Sequence, residues 1–223
     1  MEKVMTVHLE PQKSAPRAMC AELRDRAATH PVSARAQTWD YLTGLGERDD
    51  HTALAELFAA GVAPEGPDGK LEGLIVGKLF GIPEARLANP LMRIDPTWRG
   101  KTFDLPGGVG WNRLSPIAGV VMPIITAGYF GLRRAGREME GFDFAHALAP
   151  SWLESAKTVR ALDYSVPEYR NPTVRTFPIG RTRDEIVEVI PGVYLGRALL
   201  RMNDGAIRLI AYFALREPIG SPL

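Results

Sequence analysis

Residues 185–216 read EIVEVIPGVYLGRALLRMNDGAIRLIAYFALR, and this stretch decides the fold class. It divides into three segments rich in β-branched and aromatic residues, at 185–190, 193–202 and 206–216. The last two are joined by Asn-Asp-Gly, which tolerates the positive φ angles of a tight hairpin. The first two meet at Pro-Gly, which predicts a corner or a bulge. Three successive strands are therefore predicted here.

The last strand indicates that both faces of the sheet are covered. Its odd-numbered side chains from Ile207 to Leu215 are all apolar, and its even-numbered ones mix Arg with Ile, Tyr and Ala. Gly196, inside the preceding strand, predicts the sharp curvature that barrels need. A barrel flanked by helices would give such strands one enclosed face and one packed face. The predicted fold class is therefore mainly β (α+β), an antiparallel β-barrel with N-terminal helices.

The chain before this stretch is predicted to have two parts. Residues 1–60 form a helical segment that packs on the barrel, with helices at 17–30 and 34–45 and a third that ends at Gly61. Residues 61–223 form the barrel domain. Its earlier segments are predicted as strands at 71–80, 101–105, 156–165 and 173–179, with a helix within 133–148.

An uncharged run at 116–132 interrupts the barrel pattern. It has 17 residues, fewer than the roughly 20 that a spanning helix needs, and it contains Pro123 and three glycines. It is predicted to be an insertion that is buried in the protein or lines a pocket mouth, without stable membrane insertion.

Composition excludes several functional classes. Lys and Arg number 27 and Asp and Glu 26, without the concentrated basic face of a nucleic-acid binder. Cys20 is the one cysteine, so an intramolecular disulfide is excluded. Residues 1–17 do not have the pattern of a signal peptide, and a cytoplasmic location is expected.

Motifs of common enzymes and metal sites are absent from the sequence. There is no Gly-x-Ser-x-Gly, no phosphate loop and no dinucleotide fingerprint. The four histidines are scattered, so neither a metal site nor a cofactor is expected, although a single His could hold a haem.

Three polar residues among apolar segments are candidates for catalysis. Asp163 and Tyr164 end a predicted strand, where a carboxyl could transfer a proton and a hydroxyl could polarise a carbonyl. Asp163 could instead pair with Arg175 and tie two strands together. His146 could act as a general base or be a structural residue beside aromatic rings.

A second set of residues is predicted to line a pocket. Aromatic rings in it could bind an apolar guest or pack in the core, and its basic groups could hold a carboxylate or lie at the surface. The set comprises Trp98, Lys101, Trp111, Asn112, Arg175, Tyr194 and Tyr212.

Several blocks between Leu54 and Glu217 resemble a known family. They are Gly69-Lys70-Leu71-Glu72-Gly73, 98–103, Leu162-Asp163-Tyr164, 191–196 and 212–216. This pattern resembles proteins in which a GXWXG domain precedes the domain of unknown function 4334, with Leu71 at the position of the family's Trp. The resemblance implies a small barrel, similar to lipocalins and other calycins, that binds apolar molecules.

Three functions are compatible with these observations. The first is binding of a hydrophobic small molecule, lipid- or polyketide-like, in the barrel interior. The second is a cofactor-independent cyclase or isomerase acting on a natural-product intermediate, which would orient its substrate with few polar groups. The third is a haem-binding barrel with His146 or Tyr164 as ligand. The expected partner is a hydrophobic small molecule and not a nucleic acid, and a homodimer is left open.

Overall fold

The structure is a computed structural model and describes residues 14–80, 97–126, 129–174 and 178–218. The described helices are α1 (Ala15–Thr29), α2 (Pro31–Glu47), α3 (His51–Ala60) and α4 (Ala118–Ile125). The described strands are β1 (Gly69–Val76), β2 (Trp98–Asp104), β3 (Val109–Leu114), β4 (Arg133–Ala135), β5 (Glu138–Pro150), β6 (Thr158–Asp163), β7 (Thr182–Ile190), β8 (Val193–Arg201) and β9 (Ile207–Arg216).

Eight of these strands close into an antiparallel barrel. The order along the sheet is β3-β2-β1-β9-β8-β7-β6-β5-β4, and an additional pairing of β3 with β5 closes the ring. β4 lies outside the ring as a short hairpin partner of β5. The fold class predicted from the sequence, an antiparallel barrel with N-terminal helices, is confirmed.

The hairpin predicted at residues 203–205 is also confirmed. It joins β8 to β9, with Arg201 opposite Ile207 and with Gly205 at φ 85°. Only glycine adopts this φ without strain, which is why the turn sequence predicted the hairpin so directly.

Two predicted elements are wrong. Residues 133–148 form β4 and most of β5 instead of a helix, because Phe142, Phe144 and His146 alternate toward the barrel interior. In the predicted strand at 173–179, residues 175–177 lie outside the described residues, and none of the others belongs to a strand of the sheet. Ile179–Arg181 is a 3₁₀ turn that follows Pro178, which has no N–H to donate to a sheet.

The three N-terminal helices cover the outer face of β7, β8 and β9. Asp50 caps α3 by accepting a hydrogen bond from the backbone N–H of Ala53. Leu54, Leu57 and Phe58 on one face of this helix are fully buried, in one apolar cluster with strand residues that include Val187 and Leu195. Burial of this helix face accounts for the even-numbered apolar side chains of the last strand.

The opposite face of the sheet forms a second core along the barrel axis. Its rings pack closely, with centroids 5.4 Å apart for Phe103 and Phe144 and again for Phe144 and Tyr164. A guest molecule inside the barrel would therefore have to displace side chains. The core also includes Leu71, Phe142, Leu162, Ile186, Tyr194, Phe213 and Leu215.

α4, from the uncharged run, packs over one end of the barrel. Ala118 and Met122 join the inner core beside Leu114 and Met139, which lie at the end of β3 and the start of β5. The Tyr129 hydroxyl accepts a hydrogen bond of 2.9 Å from the backbone N–H of Phe142 and anchors the segment. Within the described ranges, no helix has the length and apolar content needed to cross a membrane.

Candidate functional site

Lys101 brings a charged group into the barrel core. It lies on β2, and its side chain is almost fully buried. Its ammonium donates to Asn112 Oδ1 at 2.9 Å, to the Tyr164 hydroxyl at 2.5 Å and to Asp184 Oδ2 at 2.9 Å. An ammonium group has three donors, so these contacts satisfy all of them.

Aromatic rings surround the same ammonium. The Lys101 Nζ atom lies 5.1–5.5 Å from four ring centroids, which belong to Trp98, Phe144, Tyr164 and Phe213. Ring faces attract cations, and more strongly where water is excluded. The cluster of Lys101, Asn112, Tyr164 and Asp184 inside this box of rings is called the inner polar cluster below.

Burial also decides the protonation of the cluster. Loss of solvent lowers the pKa of Lys101, and the nearby Asp184 carboxylate opposes this effect. Burial raises the pKa of Tyr164 well above its usual value, and Asp184 raises it further. Tyr164 therefore stays a hydroxyl, and it donates to Asp184 Oδ2 at 2.9 Å.

Asn112 connects the cluster to the barrel wall. Its Oδ1 accepts from Trp98 Nε1 at 2.9 Å as well as from Lys101, and its amide nitrogen donates to the Phe142 carbonyl at 3.0 Å. The pairing of β3 with β5 is irregular here, and Phe142 has a φ of 51°, an uncommon value for a non-glycine residue. At this bulge the Phe142 carbonyl accepts the hydrogen bond from Asn112.

Trp98 links the inner polar cluster to an external cleft. The cleft has a volume of ≈ 620 Å³, within the range usual for small-molecule sites. Trp39 from α2, Ile75 from β1 and Trp98 contribute its apolar wall. Trp98 also lies 5.5 Å from Lys101 Nζ, so this indole stands between the cleft and the ammonium.

The charges around this cleft are balanced. Arg113 pairs with Glu138 at 2.8 Å and Arg216 pairs with Glu72 at 2.8 Å. The basic lining residues are Lys78, Arg99, Arg113 and Arg216, and the acidic ones are Glu47, Asp49, Glu72 and Glu138. The described part of the lining therefore has four charges of each sign and no net charge.

His146 forms a second polar contact inside the barrel. Its Nδ1 accepts from Arg160 Nη1 at 3.0 Å, and its ring lies 5.2 Å from that of Phe103. Burial, and next the Arg160 charge, lower the pKa of His146 below its usual value. The imidazole is therefore neutral, with Nδ1 as acceptor, and Nε2 is buried without a hydrogen-bond partner among the described residues.

The other residues predicted from the sequence lie apart from the inner polar cluster. Asp163 accepts hydrogen bonds from the backbone N–H and the hydroxyl of Ser165, at 2.8 and 2.7 Å. Trp111 lies on the barrel exterior, where the Arg133 guanidinium is 5.0 Å from the centroid of its ring. Tyr212 packs in the core that the helices cover. Arg175 lies outside the described residues.

Tyr194 lies in the inner core and lines a second cleft of ≈ 510 Å³. Burial, and next the charge of Glu188, raise the pKa of Tyr194 far above its usual value. This cleft is separate from the one at Trp98, and its lining includes Arg35, Glu188 and Glu217.

Sequence reasoning missed Asp184 and Arg160. The predicted strand begins at residue 185, whereas β7 begins at Thr182 and Asp184 shares the inward face with Ile186. A strand extended by one residue would have placed Asp184 on the same face as Ile186, inside the barrel. Arg160 was predicted to lie in a strand and was given no functional role. In the structure it donates hydrogen bonds to His146 Nδ1 and to the carbonyls of Pro64 and Glu65.

Comparisons with known proteins add no identity. No family model, no curated protein and no solved structure matches this chain. Over the described residues, no group of three or more His, Cys, Asp or Glu side chains is placed to hold a metal ion. A barrel fold is compatible with small-molecule binding.

Proposed function

We propose that this protein binds a neutral, apolar, ring-containing small molecule in the cleft at Trp98. The observation that carries the proposal is the position of Trp98, which lines the cleft and hydrogen-bonds Asn112 of the inner polar cluster. The indoles of Trp39 and Trp98 offer flat apolar surfaces, and the balanced charges of the lining favour a neutral guest. The resemblance to GXWXG proteins supports the same class of ligand, and membership of that family is part of the proposal.

The filled barrel core favours a guest in the cleft over one in the interior. The closely packed inner rings exclude the guest from the barrel interior and keep it in the cleft. Movement of the Trp98 indole would open a path from the cleft to Lys101. The proposed site is therefore the barrel mouth, with the interior reached only through displacement of one indole.

Titration with the neutral fluorophore Nile red tests this proposal. Trp98→Ala should weaken binding by roughly tenfold or more, since a buried aromatic anchor commonly contributes this much to affinity. Trp39→Ala, on the α2 side of the cleft, should also weaken binding while leaving the hydrogen bonds of Asn112 intact. Trp152→Ala is the matched control, because Trp152 packs against Arg183 and Arg201 and does not line the described part of the cleft. Equal affinity in all variants would contradict the proposal.

A second candidate function is a cofactor-independent isomerase or cyclase. It is favoured by the contact between a cation, a hydroxyl and a carboxylate directly behind Trp98. The Asp184 carboxylate would take a proton from a carbon beside a carbonyl, while Lys101 and Tyr164 donate to the developing enolate oxygen. Return of the same proton to another carbon would complete an isomerisation, so atoms and charge balance.

Deuterium exchange tests the chemical proposal. Wild-type protein should catalyse exchange at the carbons beside the carbonyl of cyclohexanone in D₂O, and Asp184→Asn should abolish the catalysed rate. Asp163→Asn is the comparison, because this carboxyl hydrogen-bonds Ser165 away from the cluster. Exchange no faster than in buffer would count against the enzyme function. Loss of catalysed exchange in Asp163→Asn but not in Asp184→Asn would identify Asp163 as the base.

A further inference from the structure

α4 presents an apolar face to solvent as well as to the barrel. Its sequence, AGVVMPII, has no polar side chain. Ala118 and Met122 pack into the barrel end, while Val120 is 69% and Ile124 is 78% exposed. A short helix at a protein surface normally carries polar residues on its outer face, so this one departs from the usual pattern.

Neighbouring side chains enlarge this surface. Ile117 precedes α4, and Phe130, which is 89% exposed, follows it. The set of Ile117, Val120, Ile124 and Phe130 is called the apolar tip below. It holds four of the eight large exposed hydrophobic side chains found within the described ranges, and the other four are Val32, Val62, Leu148 and Leu153. Ile117, Val120 and Ile124 are spaced three and four residues apart and so share one face of the helix, and exposed apolar side chains grouped in this way indicate an interaction surface.

Positive charge lies beside the apolar tip. The β4–β5 hairpin begins three residues after Phe130 and exposes Arg133, Arg134 and Arg137. Arg133 pairs with Asp143 and Glu140. Within the part of the chain that the structure describes, Arg134 and Arg137 make no ion pair with a carboxylate. Two uncompensated positive charges therefore flank the apolar side chains.

We propose that the apolar tip and Arg134 and Arg137 dock reversibly on an anionic lipid bilayer. Exposed apolar side chains next to arginines are the combination by which surface segments bind the membrane interface, with the apolar groups below the headgroups and the basic groups among them. A second copy of the chain fits less well. A symmetric contact through the tip would bring the unpaired arginines of both copies together, and like charges oppose such an interface.

The fold gives this docking a defined orientation. α4 covers the barrel end formed by Leu114 and Met139, so this end of the barrel would face the membrane. Only the tip would enter the interface, because Met122 and Tyr129 keep the segment attached to the barrel core. This inference depends on the exposed side chains alone and stands apart from the ligand proposed for the cleft.

Vesicle co-sedimentation tests the docking. Wild-type protein should bind vesicles of phosphatidylcholine mixed with phosphatidylglycerol, bind vesicles of phosphatidylcholine much more weakly, and lose affinity as salt rises. The double variant Val120→Ser with Ile124→Ser should reduce binding by roughly tenfold or more, because two apolar side chains would no longer enter the interface. Arg134→Gln with Arg137→Gln should remove the preference for anionic vesicles.

Matched controls separate the tip from general surface effects. Val32→Ser with Val62→Ser removes exposed valines elsewhere, and Arg26→Gln removes an exposed charge on α1, so both should leave binding unchanged. Cys20 is buried, so Phe130→Cys can be labelled selectively with an environment-sensitive dye. The label should shift to shorter wavelength on the mixed vesicles.

Three results would overturn the proposal. One is absence of wild-type binding to the mixed vesicles, and another is equal binding by wild type and the Val120→Ser, Ile124→Ser variant. The third is a concentration-dependent dimer in sedimentation velocity without lipid that this variant abolishes, which would assign the tip to self-association.

Discussion

Lys101 and Asp184 form an ion pair inside the barrel, with 2.9 Å between Nζ and Oδ2. Their side chains are 3% and 7% exposed. Both charges have lost most of their hydration. Their contact with each other and their hydrogen bonds to the Tyr164 hydroxyl and Asn112 replace the bonds to water. Because such desolvation is costly, the pair is weak evidence for added stability and better evidence for a specific role.

The first prediction follows from this pair. Asp184→Asn should lower the free energy of unfolding by about 3–5 kcal/mol, since it leaves a buried ammonium without its counter-charge. Urea denaturation monitored by circular dichroism measures this loss. Lys101→Met combined with Asp184→Leu should lose less stability than Asp184→Asn, about 1–3 kcal/mol, because no buried charge is left unpaired and only the Tyr164 hydroxyl loses its acceptor.

The exposed pair of Lys78 and Asp49 is the control for this experiment. Its side chains are accessible to water, so Asp49→Asn should change the free energy of unfolding by no more than about 1 kcal/mol. An Asp184→Asn variant as stable as Asp49→Asn would show that the inner ion pair does not persist in solution.

The second prediction concerns the pH dependence of stability. Burial and the Arg160 charge lower the pKa of His146 in the folded state below its ordinary 6.5, although Asp104 opposes this effect. The unfolded chain therefore takes up a proton at a higher pH than the folded chain does. The stability that neutral His146 contributes is present above about pH 6.5 and is lost as the pH falls through and below that value.

Urea denaturation at a series of pH values measures this effect. His146→Gln should flatten the stability profile below pH 6.5 relative to wild type, and the difference in slope should not exceed about 1.4 kcal/mol per pH unit, the limit for one proton. His30→Gln, at an exposed position, should keep the wild-type profile. Parallel profiles for wild type and His146→Gln would refute the prediction.

The third prediction tests the packing of the barrel wall. Gly196 on β8 lies opposite Phe213 on β9, and a methyl group at residue 196 would overlap the Phe213 ring. Gly196→Ala should therefore cost about 1–3 kcal/mol of stability, and Phe213→Leu in the same chain should restore part of it. Gly66→Ala is the control, since its nearest side-chain atom, on Leu105, is 3.6 Å away. Thermal unfolding of wild type and the three variants checks the ranking, and a Gly196→Ala variant as stable as Gly66→Ala would contradict it.

The barrel could be predicted from residues 185–216 because their alternation and turn residues specify strands locally. β5 could not be predicted in the same way. Its start and the preceding turn carry Arg137, Glu138 and Glu140, and charges spaced this closely are common on helices. The two-residue alternation appears only from Phe142 onward, after the bulge.

The candidate site could be predicted in part. Trp98, Lys101 and Asn112 were predicted to line a pocket and Tyr164 to take part in catalysis, but they lie on β2, on β3 and directly after β6. Their meeting depends on strand register, for example on Leu162 opposite Asp184, and register is a long-range property that one sequence does not state. Asp184 was missed because the predicted strand began one residue too late.

The fourth prediction uses Cys20 to measure how firmly α1 is held on the barrel. Cys20 is buried, which limits access of Ellman's reagent to its thiol. Burial also raises the pKa of the thiol and so lowers the fraction of reactive thiolate, and the reaction should therefore be slow. Arg24, one turn further along α1, donates hydrogen bonds to the carbonyls of Val189, Ala60 and Glu188 at 2.8, 3.1 and 3.3 Å. These bonds tie α1 to β7 and to the end of α3.

Arg24→Ala should therefore raise the rate of thiol modification by roughly tenfold or more, because hydrogen bonds from a charged group contribute about 1.5–3 kcal/mol and their loss favours local opening of α1. Arg26→Ala is the matched control, since this arginine lies on the exposed face of the same helix. Modification is followed by absorbance under native conditions, with circular dichroism confirming that both variants remain folded. Equal rates for Arg24→Ala and Arg26→Ala would mean that apolar packing of Leu23 and its neighbours, and not the guanidinium, holds the helix in place.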